Sequence, residues 1–209
     1  MLSLQTVLPN TLELLRSLMV MPELEDMRLV GGTSLALQYG HRRSVDLDFF
    51  GDSTMELEEL TMALKERVDE VVVGSHSKLI KSFFLNGVKV DIVNYKYSWI
   101  DDVVIEDGLR LASPKDIAAM KVNAAIGRGT KKDFVDIFYL LKHFSFNDLM
   151  HFYLQKYPDG SEYRALLSMA YFDDADPQPM PYMFDDVDWD TIKQRIRQEV
   201  ETYNLMLRD

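Results

Sequence analysis

Gly31-Gly32-Thr33-Ser34 is followed, one helix later, by Arg42-Arg43-Ser44-Val45-Asp46-Leu47-Asp48-Phe49-Phe50, and the fold turns on this stretch. The apolar run Met27–Val30 leads into the two glycines. Thr33 to Tyr39 then reads as a helix closed by Gly40, and Ser44 to Phe50 alternates like a strand. Paired glycines before a helix let the backbone approach a ligand closely. The helix start offers unpaired N–H groups and a positive dipole end to phosphate. Thr33 and Ser34 add hydroxyls. A tight turn followed by an N-cap explains the same residues. Asp46 and Asp48 narrow the choice. In a strand, i and i+2 share a face, so the two carboxylates repel unless a cation stands between them. Leu47 and Phe49 point the other way, toward a core. Carboxylates of this kind suit Mg²⁺ together with substrate phosphate oxygens, while an edge strand with a solvated face is the alternative.

Working outward, residues 78–85 and 88–95 flank Asn86-Gly87, a strong hairpin signal. In the second of these strands Val88, Val90 and Ile92 share one face, and Asp91 lies on the other beside Lys89. Should this strand pair near the first, three carboxylates converge on one metal cluster. Otherwise Asp91 is a solvated hairpin residue. Leu4 to Met19 has helical spacing, with Pro9 marking a possible true start. Ser53 or Thr54 is expected to cap a helix over 55–70 that shows Leu57, Leu60, Leu64 and Val68 on one face.

The second half is helical. Ser113-Pro114 opens a helix through Lys121 that stops at Gly127-Arg128-Gly129. Further helices are expected at 130–143, 147–156, 161–171 and 189–206. In the 130–143 helix, Phe134, Ile137, Phe138 and Leu141 form the apolar stripe, which Asp133 and Asp136 leave. Packing therefore need not bury those two aspartates, and Lys132 with Asp136 has the i, i+4 spacing of a surface pair. The class is α+β: a small mixed sheet, then helices. We expect a catalytic core at 1–108 and a helical region at 109–209 that completes the active site.

Of the 209 residues, 47% are hydrophobic and 27% charged, which excludes a disordered chain. No apolar run reaches the roughly 18 residues of a membrane helix. The start, Met1-Leu2-Ser3-Leu4-Gln5, lacks the features of a secretion signal, so a cytoplasmic protein without membrane partners is expected. Cysteine is absent, which excludes disulfides, thiolate zinc sites and a cysteine nucleophile. The net charge of −11 argues against non-specific nucleic-acid coating. Yet Arg110–Lys142 holds seven Lys/Arg against three Asp, a stretch where a phosphate-bearing ligand is expected to dock. Phe172–Asp190 holds seven Asp and no basic residue, and reads as a solvated linker.

The combination Gly31-Gly32-Thr33-Ser34 … Arg42-x-Ser44-x-Asp46-Leu47-Asp48-Phe49-Phe50 resembles the nucleotidyltransferase superfamily typified by DNA polymerase beta. More narrowly it resembles the AbiEii/AbiGii toxins of bacterial type IV toxin–antitoxin systems. Lys121, Arg128, Lys131 or Lys132, Asp133 and Asp136-Ile137-Phe138-Tyr139-Leu140-Leu141 extend the likeness. It runs from about Met27 to Leu141. The resemblance implies that Gly31, Gly32, Thr33, Ser34, Arg42 and Ser44 hold nucleotide. It makes Asp46, Asp48 and Asp91 the metal ligands, with Mg²⁺ or Mn²⁺ as cofactor. Lys121 and Arg128 would meet the triphosphate of an NTP, and Asp136 would be a polar active-site residue, a candidate base. The implied activity is transfer of an NMP to an acceptor hydroxyl, RNA such as tRNA among the candidates, by a toxin with a cognate antitoxin. Two alternatives remain open at this point: transfer to a small molecule or a protein side chain, and a non-catalytic nucleotide- or partner-binding module.

Overall fold

The computed structural model describes residues 1–52 and 55–207. The expected Ser53/Thr54 cap lies outside them. The chain forms two compact units. One comprises Met1–Tyr97 and Asp102–Ala112; the other comprises Ser98–Asp101 and Ser113–Asp209.

The first unit carries a mixed seven-stranded sheet among the described residues: β1 (Arg28–Leu29), β2 (Leu47–Gly51), β3 (Val71–His76), β4 (Ile80–Leu85), β5 (Val88–Asn94), β6 (Val104–Glu106) and β7 (Leu109–Leu111). Their order is β3-β4-β5-β2-β1-β7-β6. β2 runs parallel to β5 and antiparallel to β1. Strand alternation places Leu47, Phe49, Val90 and Phe83 in the core, all fully buried, and leaves Asp48, Lys89 and Asp91 on the opposite face. The expected hairpin is present: β4 and β5 pair around Asn86 and Gly87, whose φ values of 48° and 78° are those a two-residue turn requires.

The α-helices of this unit among the described residues are α1 (Pro9–Met19), α2 (Gly31–Tyr39) and α3 (Leu57–Lys65). Pro9 is indeed the true start of α1, in the first-turn position proline tolerates. α3 is shorter than expected; Leu60 and Leu64 are buried, with Leu57 and Val68 packed against the same core. β3, β6 and β7 are strands beyond those expected. β6 and β7 are three residues each around Asp107-Gly108, both at positive φ, a second turn signal of the Asn-Gly kind.

The second unit is helical: α4 (Pro114–Gly127), α5 (Lys131–Leu140), α6 (Phe146–Lys156), α7 (Glu162–Met169) and α8 (Trp189–Met206). α4 begins as expected, with Ser113 accepting from Asp116 N at 3.1 Å. Among the described residues no helix is long and apolar enough to cross a membrane.

Candidate active site

In the first unit the site begins at the glycine turn. Gly31 and Gly32 are not a loop ahead of α2 but its first turn. Gly31 has φ +66°, and a Cβ there would lie 2.5 Å from Asp48 Oδ2. Only glycine meets both demands, and its missing side chain is what lets the Asp48 carboxylate lie against the start of the helix. Gly31→Ala is therefore expected to cost about 1–3 kcal/mol of stability and, by displacing Asp48, to lower turnover about 100-fold. Urea unfolding and a transfer assay on the same preparation check both.

Thr33 and Ser34 are buried, at 1% and 0% exposure, and act inside the protein. Thr33 Oγ1 bonds to Ser44 Oγ at 2.9 Å and to the carbonyl of Asp46, while Ser34 Oγ accepts from Gln38 Nε2. Thr33 thus fixes the segment that delivers the aspartates. That bond also explains why the strand opens at Leu47 rather than at Ser44. Ser44 N donates to Thr6 O, and the Asp46 carbonyl faces Thr33, so both backbones are engaged outside the sheet. Arg42 is buried too, with Nη1 on the carbonyl of Arg43 at 3.0 Å.

β2 and β5 bring the carboxylates together. Their parallel register sets Asp48 directly beside Asp91, a separation of about 5 Å between backbones. Both side chains are half-buried on the face opposite the core. Asp91 is held at both oxygens: Ser82 Oγ donates to Oδ1 at 2.5 Å, and Lys89 Nζ to Oδ2 at 2.7 Å. The hydrogen bond to Asp91 comes first in raising the Lys89 pKa above the usual lysine value. Partial burial opposes it, and the charges of Asp91, Asp48 and Asp46 add to it. The ammonium therefore stands in the field of all three carboxylates.

The expected convergence on one metal cluster is only partly met. Among the described residues no three acidic or histidine side chains stand close enough to hold one ion. Asp48 and Asp91 are neighbours on the β2–β5 ladder, which Asp46 precedes, and Lys89 sits on one oxygen of Asp91. The donor set nonetheless suits a hard divalent cation. It is all oxygen, and Mg²⁺ is commonly bound through one or two carboxylates plus substrate phosphates.

In the second unit the sequence reading needs correction. Asp133 and Asp136 leave the apolar stripe yet are fully buried, because Lys121 is buried with them. Lys121 Nζ lies 2.9 Å from Asp133 Oδ1 and 2.6 Å from Asp136 Oδ2, out of solvent. Arg128 meets Asp133 with Nε at 3.0 Å and Nη2 at 3.2 Å, its own side chain 60% exposed. Thr130 donates its hydroxyl to Asp133 Oδ2 at 2.5 Å. Burial pushes the Asp133 pKa upward, but the Lys121 charge, the Arg128 bond and charge and the Thr130 bond override it and hold the carboxyl well below the usual range.

A depressed folded-state pKa means stability that is present above the unfolded value of about 4 and is lost as pH falls below it. Asp133→Asn is thus expected to flatten the stability profile between about pH 5 and pH 2, measured by urea unfolding across that range.

Much of the basic stretch is engaged within the protein, although Arg128 stays 60% exposed. Arg110 is clamped on three backbone carbonyls, those of Met19 at 2.7 Å, Leu24 at 2.8 Å and Met27 at 3.1 Å. Lys131 is buried and donates to the carbonyl of Asp176. Lys115 and Lys142 pair with Asp101 and Asp185. The acidic stretch is likewise no solvated linker. Phe172 is buried among the rings of Phe134 and Trp189, Asp176 accepts from Trp189 Nε1 at 2.6 Å, and Tyr139 donates to Asp185 at 2.8 Å. A further buried pair, Lys156 with Asp116 at 2.7 Å, carries no signal in the local pattern.

Ser82 and Lys89 are the residues the sequence reading left without a role. The two-residue turn at Asn86-Gly87 was the available signal, since it fixes Ser82 opposite Asp91.

Comparison with known proteins decides the family. The family model of the nucleotidyl transferase AbiEii toxin, type IV toxin–antitoxin system, matches residues 13–206. The chain belongs to the AbiEii nucleotidyltransferase family. An uncharacterised protein of Aquifex aeolicus (strain VF5) is 30% identical over 185 residues, covering 85% of this AbiEii-family chain and 88% of its own. Two solved structures share the fold. MenT4, nucleotidyltransferase toxin Rv2826c from Mycobacterium tuberculosis H37Rv, has a TM-score of 0.56 at 14% identity, over 91% of this chain and 81% of its own. JHP933 from Helicobacter pylori has a TM-score of 0.52 at 21% identity, over 100% and 98%. The expected family, α+β class and enzyme class are thereby borne out.

Proposed function

We propose that this AbiEii-family enzyme moves an NMP from an NTP to an acceptor hydroxyl with the help of a divalent metal, as a toxin acting on RNA such as tRNA and opposed by a cognate antitoxin. The observation that carries the reading is the register of Asp48 beside Asp91, with Gly31 open against Asp48. In the reaction the acceptor oxygen bonds to the α-phosphorus, the bond to the β-phosphate oxygen breaks, and pyrophosphate leaves. Asp48 and Asp91 would hold Mg²⁺ or Mn²⁺, with Asp46, just ahead of the ladder, as a further candidate ligand; the metal when bound would neutralise phosphate charge and assist ionisation of the acceptor hydroxyl. The proton of that hydroxyl passes to a carboxylate of the strand pair. Gly31 and Gly32 let the nucleotide approach the backbone at the start of α2, and Thr33, Ser44 and Arg42 hold that segment in place from beneath.

In the second unit Lys121 and Arg128 are gathered on Asp133, and Arg128 is the exposed cation of the two. We read Asp133 and Asp136 as the residues that hold Lys121 in position, since both carboxylates pair with it out of solvent.

A second acceptor class is favoured by one finding. With Arg110 and Lys131 engaged on internal carbonyls, the basic stretch offers less to a polyanion than its composition suggests, and the net charge of −11 suits a cationic small molecule or basic protein side chain. Each α-labelled NTP is supplied in turn with Mg²⁺, beside total cellular RNA, total protein and a small-molecule extract. Label on RNA, lost on chelation, supports the toxin reading. Label on a small molecule or protein moves the acceptor to the second class. No label anywhere, with nucleotide still bound, points to a binding module.

A further inference from the structure

The inference concerns Lys89 and rests on the metal-site reading of Asp48 and Asp91. Two carboxylates in direct register on neighbouring strands repel one another without a cation. Lys89 provides that cation. It lies two residues before Asp91 on β5, so both point to the same face, and its Nζ reaches Asp91 Oδ2 at 2.7 Å. The other oxygen is held by Ser82. Both oxygens of Asp91 are therefore engaged; each keeps a further lone pair, but a divalent cation bound there would stand beside the Lys89 ammonium and repel it, so metal binding favours release of a donor. The two differ in how easily they yield. Ser82 is buried, at 7% exposure, on a short side chain. Lys89 has a side chain 43% exposed on a four-carbon stem that can swing to solvent.

We propose that Lys89 is a built-in counter-ion which a divalent metal displaces from Asp91, and that the released ammonium then binds a phosphate oxygen of the nucleotide. The lysine keeps the carboxylate cluster neutralised before metal arrives and serves the polyphosphate afterwards. Removing it should have opposite effects on the two ligands. Metal loses a competitor, and nucleotide loses a cation. A lysine with a merely structural role would weaken both ligands together or neither.

The test uses the full chain as wild type, Lys89→Met and Lys89→Arg, with urea unfolding to confirm that each folds. Mn²⁺ binding to the nucleotide-free protein is followed by the electron paramagnetic resonance of free Mn²⁺. ATP binding at saturating Mn²⁺ is followed by equilibrium dialysis. Lys89→Met is expected to bind Mn²⁺ about tenfold more tightly and ATP about tenfold more weakly, while Lys89→Arg keeps both within about twofold of wild type. Mn²⁺ affinity that does not rise, or ATP affinity that does not fall, overturns the proposal. Asp48→Asn separates this failure from failure of the site itself. If Asp48→Asn leaves Mn²⁺ binding unchanged, the metal-site reading falls and the Lys89 proposal falls with it. If Asp48→Asn abolishes binding and Lys89→Met changes nothing, only the role of Lys89 is lost.

Discussion

Asp48→Ala is expected to lower nucleotide transfer at least about a thousandfold while leaving the protein folded. The activity loss follows from position. Asp48 both pairs in register with Asp91 and lies against the helix start at Gly31. Its neighbours Leu47 and Phe49 face the core, and Phe50, on the same face as Asp48, carries no carboxylate. Stability should change by less than about 1 kcal/mol, because the side chain is half-buried on the polar face and its removal relieves repulsion with Asp91. Transfer kinetics beside a thermal melt check both halves. Undiminished transfer by a folded Asp48→Ala protein would remove the strand carboxylates from the chemistry. Asp48→Asn, which keeps the shape and loses the charge, should behave like alanine.

The largest stability effect is expected at Lys121. Lys121→Met leaves Asp136 and one side of Asp133 buried without their ammonium, and breaking a buried pair of this kind costs about 3–5 kcal/mol. For a chain of this size that lowers Tm by roughly 6–20 °C. The control is to neutralise the partners as well. Lys121→Met combined with Asp133→Asn and Asp136→Asn removes the stranded charges and should recover a substantial part of the loss. If the single and triple variants unfold at the same denaturant concentration, the cost comes from lost packing of the lysine stem and not from unpaired carboxylates.

What the sequence revealed about this fold follows a physical line between local and distant causes. The Asn86-Gly87 hairpin, the Ser113-Pro114 helix start and the buried alternation of Leu47 and Phe49 are local rules, visible in a few neighbouring residues, and each is present. The parallel pairing of β2 with β5 was foreseen only as a condition, since register between strands forty residues apart has no local cause. Burial of charge was the harder matter. Asp133 and Asp136 leave the apolar stripe of α5, and periodicity alone reads such positions as wet. They are dry because Lys121, on another helix, reaches them. Arg110 was counted toward a phosphate-binding stretch, yet it closes on carbonyls of residues more than eighty positions earlier. The acidic stretch looked solvated because seven aspartates outweigh one Phe172, whose ring decides where the segment lies. In each case a partner distant in sequence sets the outcome, and composition does not see partners.

The buried pair of Asp116 and Lys156 has a consequence for how the chain is made. Asp116 receives the amides of Ile100 and Asp101, and Lys156 donates to the carbonyl of Ser98 at 3.0 Å. Residues 98–101 therefore belong with the helices although β6 and β7, which follow them, belong with the sheet. On the ribosome, the strands emerge with this short segment still lacking its anchor, and the anchor is complete only when residue 156 has left the exit tunnel. A chain cut after Ala112 does not yield a finished first half and a missing second. It yields a sheet with a loose stitch between β5 and β6, one that any split-protein or domain-swap experiment on this family member has to tie by carrying residues 98–101 with the helical half.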